Sequence, residues 1–576
     1  MAVAADAQQT MQPRRHGLDM SWPVFAAIGL VLAVLVLLPM FWLATYAVTS
    51  RDGGFTLDNF VQLATDETLR KPFLIALGMA LAVGALSCLI ATPLAWLVSR
   101  TDLPGQRVVR AAVMASFVTP PFLGAIAGEV LAAPNSGLIN RAHRAIFDLQ
   151  PFDDPLIDIY TMEGLVFAIA CYTFPYVFTL VANALDRVPS DLEDASAILG
   201  GGWWRTLRRV TLPMALPAML AGTLIAILQA LTMFGSPAIL AMPAGFHVIT
   251  TKIWSLFQYP PKPELAAAAA WPLLLFTVLL LWGQRRILGR RGFESSGGKS
   301  GEARVVKLGR WKWLAVLFAF SIVTLTIVLP CLALLKSALM RKVSDPIAWS
   351  SLTLHNFNFV LFEFSATRLA MWNTFVLGLA TASIGTVLAL VVAYLANRNA
   401  IKGASYLGML ATAPVAIPGI VLGVGLFLSY TQPGLMLYGT LWILLVAFLT
   451  IELPAGYQQL SAALRGVHVD LEEASRMLGA TRLQTLARIN APLLRTSVIA
   501  AWCFIFIGTI RELSATILLT TAETKLVSVI IYDLHESGDI GAISVLGLLL
   551  LAVTFVVVFI ANRLPLLGGP KGKRAA

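Results

Sequence analysis

Charge is what this chain has least of. Asp, Glu, Lys and Arg make up 13% of its 576 residues, about half the share usual in a soluble domain. So few charges cannot cover a globular surface of this size, which excludes soluble, disordered and fibrous classes and leaves a polytopic membrane protein. Cysteine is also sparse. Cys88, Cys171, Cys331 and Cys503 lie far apart, each in an apolar run, and no CxxC or Cys/His cluster exists. That excludes a zinc site and a disulfide framework, and leaves four small buried hydrophobes. No small-residue cleavage site follows the first apolar run, so that run reads as an anchor rather than a removed leader. The net charge of +11 does not require nucleic acid as a partner, because basic loops on one side of a membrane account for it.

What is present is long apolar sequence. A helix needs about 20 apolar residues to cross the hydrocarbon core, and twelve runs qualify. They lie near 23–48, 72–99, 111–133, 164–184, 215–242, 265–282, 313–335, 369–396, 405–430, 435–454, 496–519 and 541–561. Each is continuous rather than alternating, which excludes a β-barrel. Placing the N-terminus in the cytoplasm puts 29 of the 42 Lys and Arg residues on that side, the orientation that the positive-inside rule favours. Both termini are then cytoplasmic. The polar, Gly/Ser-rich and basic stretch from Gly283 to Lys312 reads as a cytoplasmic linker between two six-helix halves. Its Gly298-Lys299-Ser300 looks like the end of a phosphate-binding loop. Phe293 occupies the position of the required first glycine and no strand precedes it, so this chain is not expected to bind ATP itself.

The halves share an internal repeat. Asp191-Leu192-Glu193-Asp194-Ala195-Ser196 recurs in the second half as Asp470-Leu471-Glu472-Glu473-Ala474-Ser475, and between Asp191 and Pro213 there are 11 identities in 23 positions. Chance would give one or two. Each copy falls in the loop after the fourth helix of its half, on the basic side. Acidic residues stand at the start of a short helix, where the helix dipole favours them. Gly200 and Gly479 follow about two turns on, as C-terminal caps do, and Pro213 and Pro492 mark entry to the next membrane helix.

These residues carry a resemblance. Asp194-Ala195-Ser196, Gly200, Val210 and Pro213, then Glu473-Ala474-Ser475, Gly479, Ile489 and Pro492, resemble the EAA loop of bacterial ABC importer permeases. The resemblance implies an all-α polytopic membrane protein, with about twelve transmembrane helices in two type I permease halves. It implies that Glu193, Asp194, Ala195, Ser196, Gly200 and Pro213, and Glu472, Glu473, Ala474, Ser475, Gly479 and Pro492, couple the chain to partner ATPase subunits, expected as a homodimer. The ATPase would use the ATP, so no cofactor or metal is bound directly, the chain is not itself an enzyme, and no catalytic residues are expected. A periplasmic substrate-binding protein and the lipid bilayer complete the implied partners, in the bacterial inner membrane. Asp194 departs from the usual Glu, and Trp203 and Trp204 follow the first copy's glycines, so unequal ATPase contacts are expected. The implied division is an N-terminal segment with the first helix (1–69), a first permease domain (70–283), the linker (284–312), the seventh helix with its outer loop (313–369), a second permease domain (370–562) and a basic tail (563–576).

Fusion of two halves, together with Glu512-Leu513-Ser514-Ala515-Thr516 and its first-half counterpart Phe234-Gly235-Ser236-Pro237-Ala238, is similar to ferric-iron importers. Thiamine, polyamine, sulfate and aminoethylphosphonate permeases share much of this pattern. An ion-coupled secondary transporter is the alternative from another class, but its repeats put polar breaks at mid-membrane rather than in a helical loop. Ionisable residues at membrane depth are default functional candidates. Arg511 and Glu512 are therefore possible pathway residues, with Thr232 and Met233 in their register in the first half. Glu129, near the outer end of the third helix, is expected to snorkel to the interface. The outer loop 134–163 holds Asp148, Asp153, Asp154, Asp158 and Glu163 and reads as a solvated loop.

Overall fold

The structure is a computed structural model that describes residues 21–150, 153–289, 305–341, 349–398 and 402–567. The linker's Gly298-Lys299-Ser300 and the tail beyond 567 lie outside the described residues. The chain is helical, and among the described residues only isolated β-bridges occur.

Among the described residues, nine unbroken helices are long and apolar enough to cross a membrane, and three bent pairs pass the same test together. Counted in chain order they are α1 (Trp22–Ala47), α2 (Glu67–Arg100), α3 (Gln106–Val118 with Pro121–Ala132), α4 (Met162–Leu185), α5 (Trp203–Thr232), α6 (Pro263–Ile287), α7 (Gly309–Leu339), α8 (Ser365–Asn397), α9 (Ala404–Ala416 with Gly419–Tyr430), α10 (Leu441–Arg465), α11 (Arg482–Leu493 with Arg495–Arg511) and α12 (Ile540–Ala561). This is the all-α polytopic fold that the apolar runs predict, with nine spans, or up to twelve when each bent pair is counted as one. Where it differs, backbone chemistry is the reason. The tenth run was expected to end near Pro454, yet α10 continues through that proline to Arg465. Interior prolines are tolerated in packed membrane helices, because neighbours satisfy the freed carbonyls. The third and ninth runs bend by 102° and 108° at Thr119-Pro120 and Ile417-Pro418, since a proline pushes the residue before it out of helical geometry.

The two halves are built alike. α2 packs along α4 and α5, and α8 along α10 and α11. Their first helices are exchanged. α1 lies against α9 and α10 of the second half, where Thr450 and Ser429 donate to the Leu35 and Leu38 carbonyls. α7 lies between α3 of the first half and α12 of its own half. One core accordingly runs through both halves, from Phe122 and Ile239 to Ile420, Leu513 and Ile543. Cys171 and Cys503 are buried, Cys88 and Cys331 half-buried, and all four are free thiols.

The described end of the linker is pinned to the first half. Val306 donates its amide to the Arg100 carbonyl (2.8 Å) and accepts from the Asp102 amide (3.2 Å). Asp102 accepts from the Leu308 amide (2.8 Å) and from Lys312 Nζ (3.3 Å). The Leu308 amide, with help from the lysine, holds the Asp102 carboxyl below its usual range.

Candidate functional site

The repeated loops form the same device twice. Ser190–Ile198 and Val469–Met477 are short helices. Gly200 and Gly479 follow with φ of +77° and +84°, a left-handed conformation that glycine adopts without a Cβ penalty. The turn closes when the Gly201 amide donates to the Ser196 carbonyl (2.8 Å) and the Ala480 amide to Ser475 (3.2 Å), a capping pattern that satisfies the last carbonyls. Ser196 bonds Thr206 (2.8 Å) and Ser475 bonds Thr485 (3.1 Å), tying each helix to the one that follows. A π-turn precedes each proline, Leu207–Thr211 before Pro213 and Leu486–Asn490 before Pro492.

The predicted loop residues divide by direction. Asp194, Ala195, Glu473 and Ala474 are exposed, whereas Glu193 and Glu472 are buried. Glu193 lies 3.9 Å from Arg100 and accepts from Thr211 (2.7 Å). Glu472 accepts from Arg398 Nε (2.8 Å) and Asn490 (3.0 Å). Each helix ends in an apolar tip, with Ile198 86%, Leu199 84%, Met477 89% and Leu478 83% exposed. Beside the first loop, Trp203 stacks on Trp96 with ring centroids 6.2 Å apart. Arg482 stands at the equivalent position of the second.

Arg511 and Glu512 line a cavity of about 320 Å³ between the halves. The first half supplies Tyr172, Tyr176, Gln229 and Thr232, and the second Pro418, Gly419 and Ser514. Thr232 and Met233 share the lining, as the repeat register predicts, so charge enters from one half only. Arg511 Nη1 donates across the boundary to the Phe117 carbonyl (3.2 Å). Glu512 caps the end of α11, where the chain leaves helical geometry, and its Oε1 accepts from the Ala515 amide (3.1 Å).

Sequence reasoning missed Glu452. It is buried in α10, and its carboxyl lies against Gly508 of α11, where an added Cβ would come within 2.3 Å of it. The signal was available, since Glu452 is the one acidic residue in an otherwise apolar span from Leu441 to Pro454. Gly508→Val is expected to force the carboxyl from its place at a cost of about 1–3 kcal/mol. A fall in the thermal midpoint of the purified protein is the measurement, and an unchanged midpoint would show that the site has slack.

Glu129 does not snorkel. It is held between halves, accepting from Tyr160 (2.7 Å) on one oxygen and lying 2.9 Å from His535 Nε2 on the other. His535 belongs to the helix Val527–Ser537 that precedes α12, and both side chains are mostly buried. Burial, reinforced by the adjacent carboxylate, pushes the Tyr160 phenol far up, so it stays a proton donor. With each bent pair counted as one span, this pair falls at the face opposite the repeated loops. Between α3 and α4, Leu138–Phe147 is a helix rather than open coil, fixed by the buried Arg144, which donates to the Pro134 and Asp153 carbonyls. Among the described residues no three His, Cys, Asp or Glu side chains gather into a metal cage.

Two matched helical halves around a polar cavity, each with a capped helical loop at one face, define a two-half membrane permease. The chain belongs to the family described as the binding-protein-dependent transport system inner membrane component, whose profile matches residues 17–292 and 385–565. It is 25% identical over 456 residues, 77% of this chain, to the ferric transport system permease protein FbpB of Actinobacillus pleuropneumoniae, and spans 63% of that protein's length. A permease assigned to sulfate transport in Chlorokybus atmophyticus is 26% identical over 46% of this chain and 88% of its own. One assigned to 2-aminoethylphosphonate transport in Salmonella typhimurium is 28% identical over 41% of this chain and 88% of its own. Family membership makes this a multi-pass membrane permease with two fused halves.

Proposed function

We propose that this chain is the membrane subunit of an ATP-driven, binding-protein-dependent importer in a bacterial inner membrane, and that its cargo is ferric iron. The observation that carries the importer reading is the pair of capped loops, each presenting an exposed apolar tip beside an acidic residue. In water such tips ask for a partner, and two copies in matching geometry suit two copies of one ATPase subunit. ATP binding draws the loops together, the halves rock, and the central cavity opens to a binding protein on the opposite face. Hydrolysis resets them. The excess of basic residues on the loop side supports a cytoplasmic position for that side and for both termini.

Iron as cargo rests on the similarity along 77% of the chain to a ferric permease and on the cavity's chemistry. A ferric ion cannot cross dry apolar space unpaired. A cavity of about 320 Å³ holds an ion with water, and Glu512, Tyr172, Tyr176 and Ser514 offer the hard oxygens such an ion prefers. Deleting the gene is expected to stop growth under ferric limitation, and Glu512→Gln to lower ferric uptake about tenfold, near 1.4 kcal/mol, with assembly intact. Normal ferric uptake by the deletion strain, with loss of sulfate, phosphonate, thiamine or polyamine uptake, overturns the cargo and leaves the importer reading standing.

A further inference from the structure

Glu193 and Glu472 face into the chain rather than toward a partner, and what they meet is the same in both halves. Arg100 ends α2, and Arg398 follows α8, the matching helix of the second half. Arg100 Nη2 donates to the Val188 carbonyl (2.8 Å), and Arg398 Nη2 to the Val467 carbonyl (2.8 Å). Val188 and Val467 hold the same place in the loop repeat, just ahead of Asp191 and Asp470. Each arginine pairs with the buried glutamate of its loop helix. Each glutamate also accepts from the π-turn opening the next span, from Thr211 in one half and Asn490 in the other.

Four elements of each half therefore meet at one ion pair: the end of the first core helix, the segment leaving the fourth span, the loop helix and the start of the fifth span. The packing there is otherwise modest, since the loop helices are short and mostly exposed. A helix of two turns held only by its ends could slide along the membrane helices when pushed. A charge-assisted bond, directed and shielded from water, resists that sliding. Arginine suits the task because its planar fork reaches a carboxylate and a backbone carbonyl at once.

We propose that Arg100 and Arg398 are positioning residues that lock each loop helix to its own half, so that displacement of the loop carries α2, α4 and α5, or α8, α10 and α11, as one body. The inference rests on the coupling role proposed for the loops. Glu193 and Glu472 then act inside the chain, and contact with the ATPase falls to Asp194, Glu473 and the apolar tips. The clasps are unequal, with Arg398 Nε at 2.8 Å from its glutamate and Arg100 Nη2 at 3.9 Å, so the second half is expected to be the more sensitive.

The test uses the full chain, co-expressed with its ATPase and reconstituted in lipid vesicles. Cysteines replacing Glu129 and His535 report, through a short bifunctional thiol reagent, whether the opposite ends of the halves are together. In the parent, ATP with vanadate is expected to lower cross-linking at least fivefold. Arg398→Met should keep the ATPase and its hydrolysis yet cross-link as though no nucleotide were present. Arg398→Lys, which retains the charge, should recover part of the response. Glu472→Gln, a smaller change that still offers an acceptor oxygen, serves if Arg398→Met accumulates poorly, and should weaken the response at least twofold. A full ATP response in Arg398→Met, or in Glu472→Gln where that variant serves, overturns the proposal. So does release of the ATPase by both variants, because the arginine would then only shape the docking surface. A parent that binds no ATPase, or binds it and shows no ATP response, is a separate result. It overturns the coupling reading, and this inference with it.

Discussion

Placing aspartate at both tip positions of the second loop, Met477→Asp with Leu478→Asp, is expected to release the ATPase and abolish transport while the chain stays inserted in the membrane. These side chains are 89% and 83% exposed, so neither supports the fold of the free chain, and their replacement costs it little. In the complex both would be covered. An unpaired carboxylate left without water costs several kcal/mol, roughly 3 or more, and two of them amount to a loss of well over about a hundredfold in affinity. Glu473→Lys, which reverses the exposed charge beside the tip, should act in the same direction. Co-purification and uptake are the readouts. Retention of both by the double variant would remove the tips from the interface. Ile198→Asp with Leu199→Asp in the first loop measures whether the halves contribute equally, which the Trp203 stack and the looser Arg100 pair argue against.

The second expected result is arrest by a covalent strap at the opposite face. Cysteines replacing Glu129 and His535, joined from outside intact cells by a short, membrane-impermeant bifunctional thiol reagent, should stop uptake completely, and a cleaving reductant should restore it. The native pair joins the halves at 2.9 Å, beside a pocket of about 300 Å³. On the proposed mechanism, rocking of the halves separates these residues for cargo to enter, and a covalent bond would not yield to any binding energy an ATPase could supply. Continued transport by the joined protein would place the opening elsewhere. Failure of the impermeant reagent to react would reverse the orientation. The single change Glu129→Gln, which keeps a hydrogen bond but removes the charge, is expected to raise basal ATP hydrolysis by only a few-fold.

Much of this molecule is written locally. Spans follow from continuous apolar sequence, because the bilayer sets one length and backbone groups inside it must bond within the helix. The loops were legible for a related reason. An acidic first turn, a glycine two turns later and a proline at the next span are short-range features, and their recurrence in the second half made them unmistakable. Other features required the tertiary structure. Glu193 and Asp194 are neighbours in sequence, yet successive helical residues point about 100° apart, and only the position of Arg100 shows which one turns inward. Glu452 was hidden in an apolar run until Gly508 of another helix was seen to leave room for it.

Contacts between the halves were beyond reach of any local signal. Glu129 looked like a residue reaching for water, and its partner His535 stands 406 positions away on an unremarkable short helix. The exchange of α1 and α7 is of the same kind, since lipid and protein present equally apolar surfaces and hydropathy does not tell which one a helix face meets. What this sequence determined alone is therefore the membrane class, the apolar runs and the repeated loops, all fixed by interactions within a few helical turns. Which glutamate is a clasp, which charges line the cavity and where the halves touch were decided by packing, because each depends on side chains hundreds of residues apart arriving at one place.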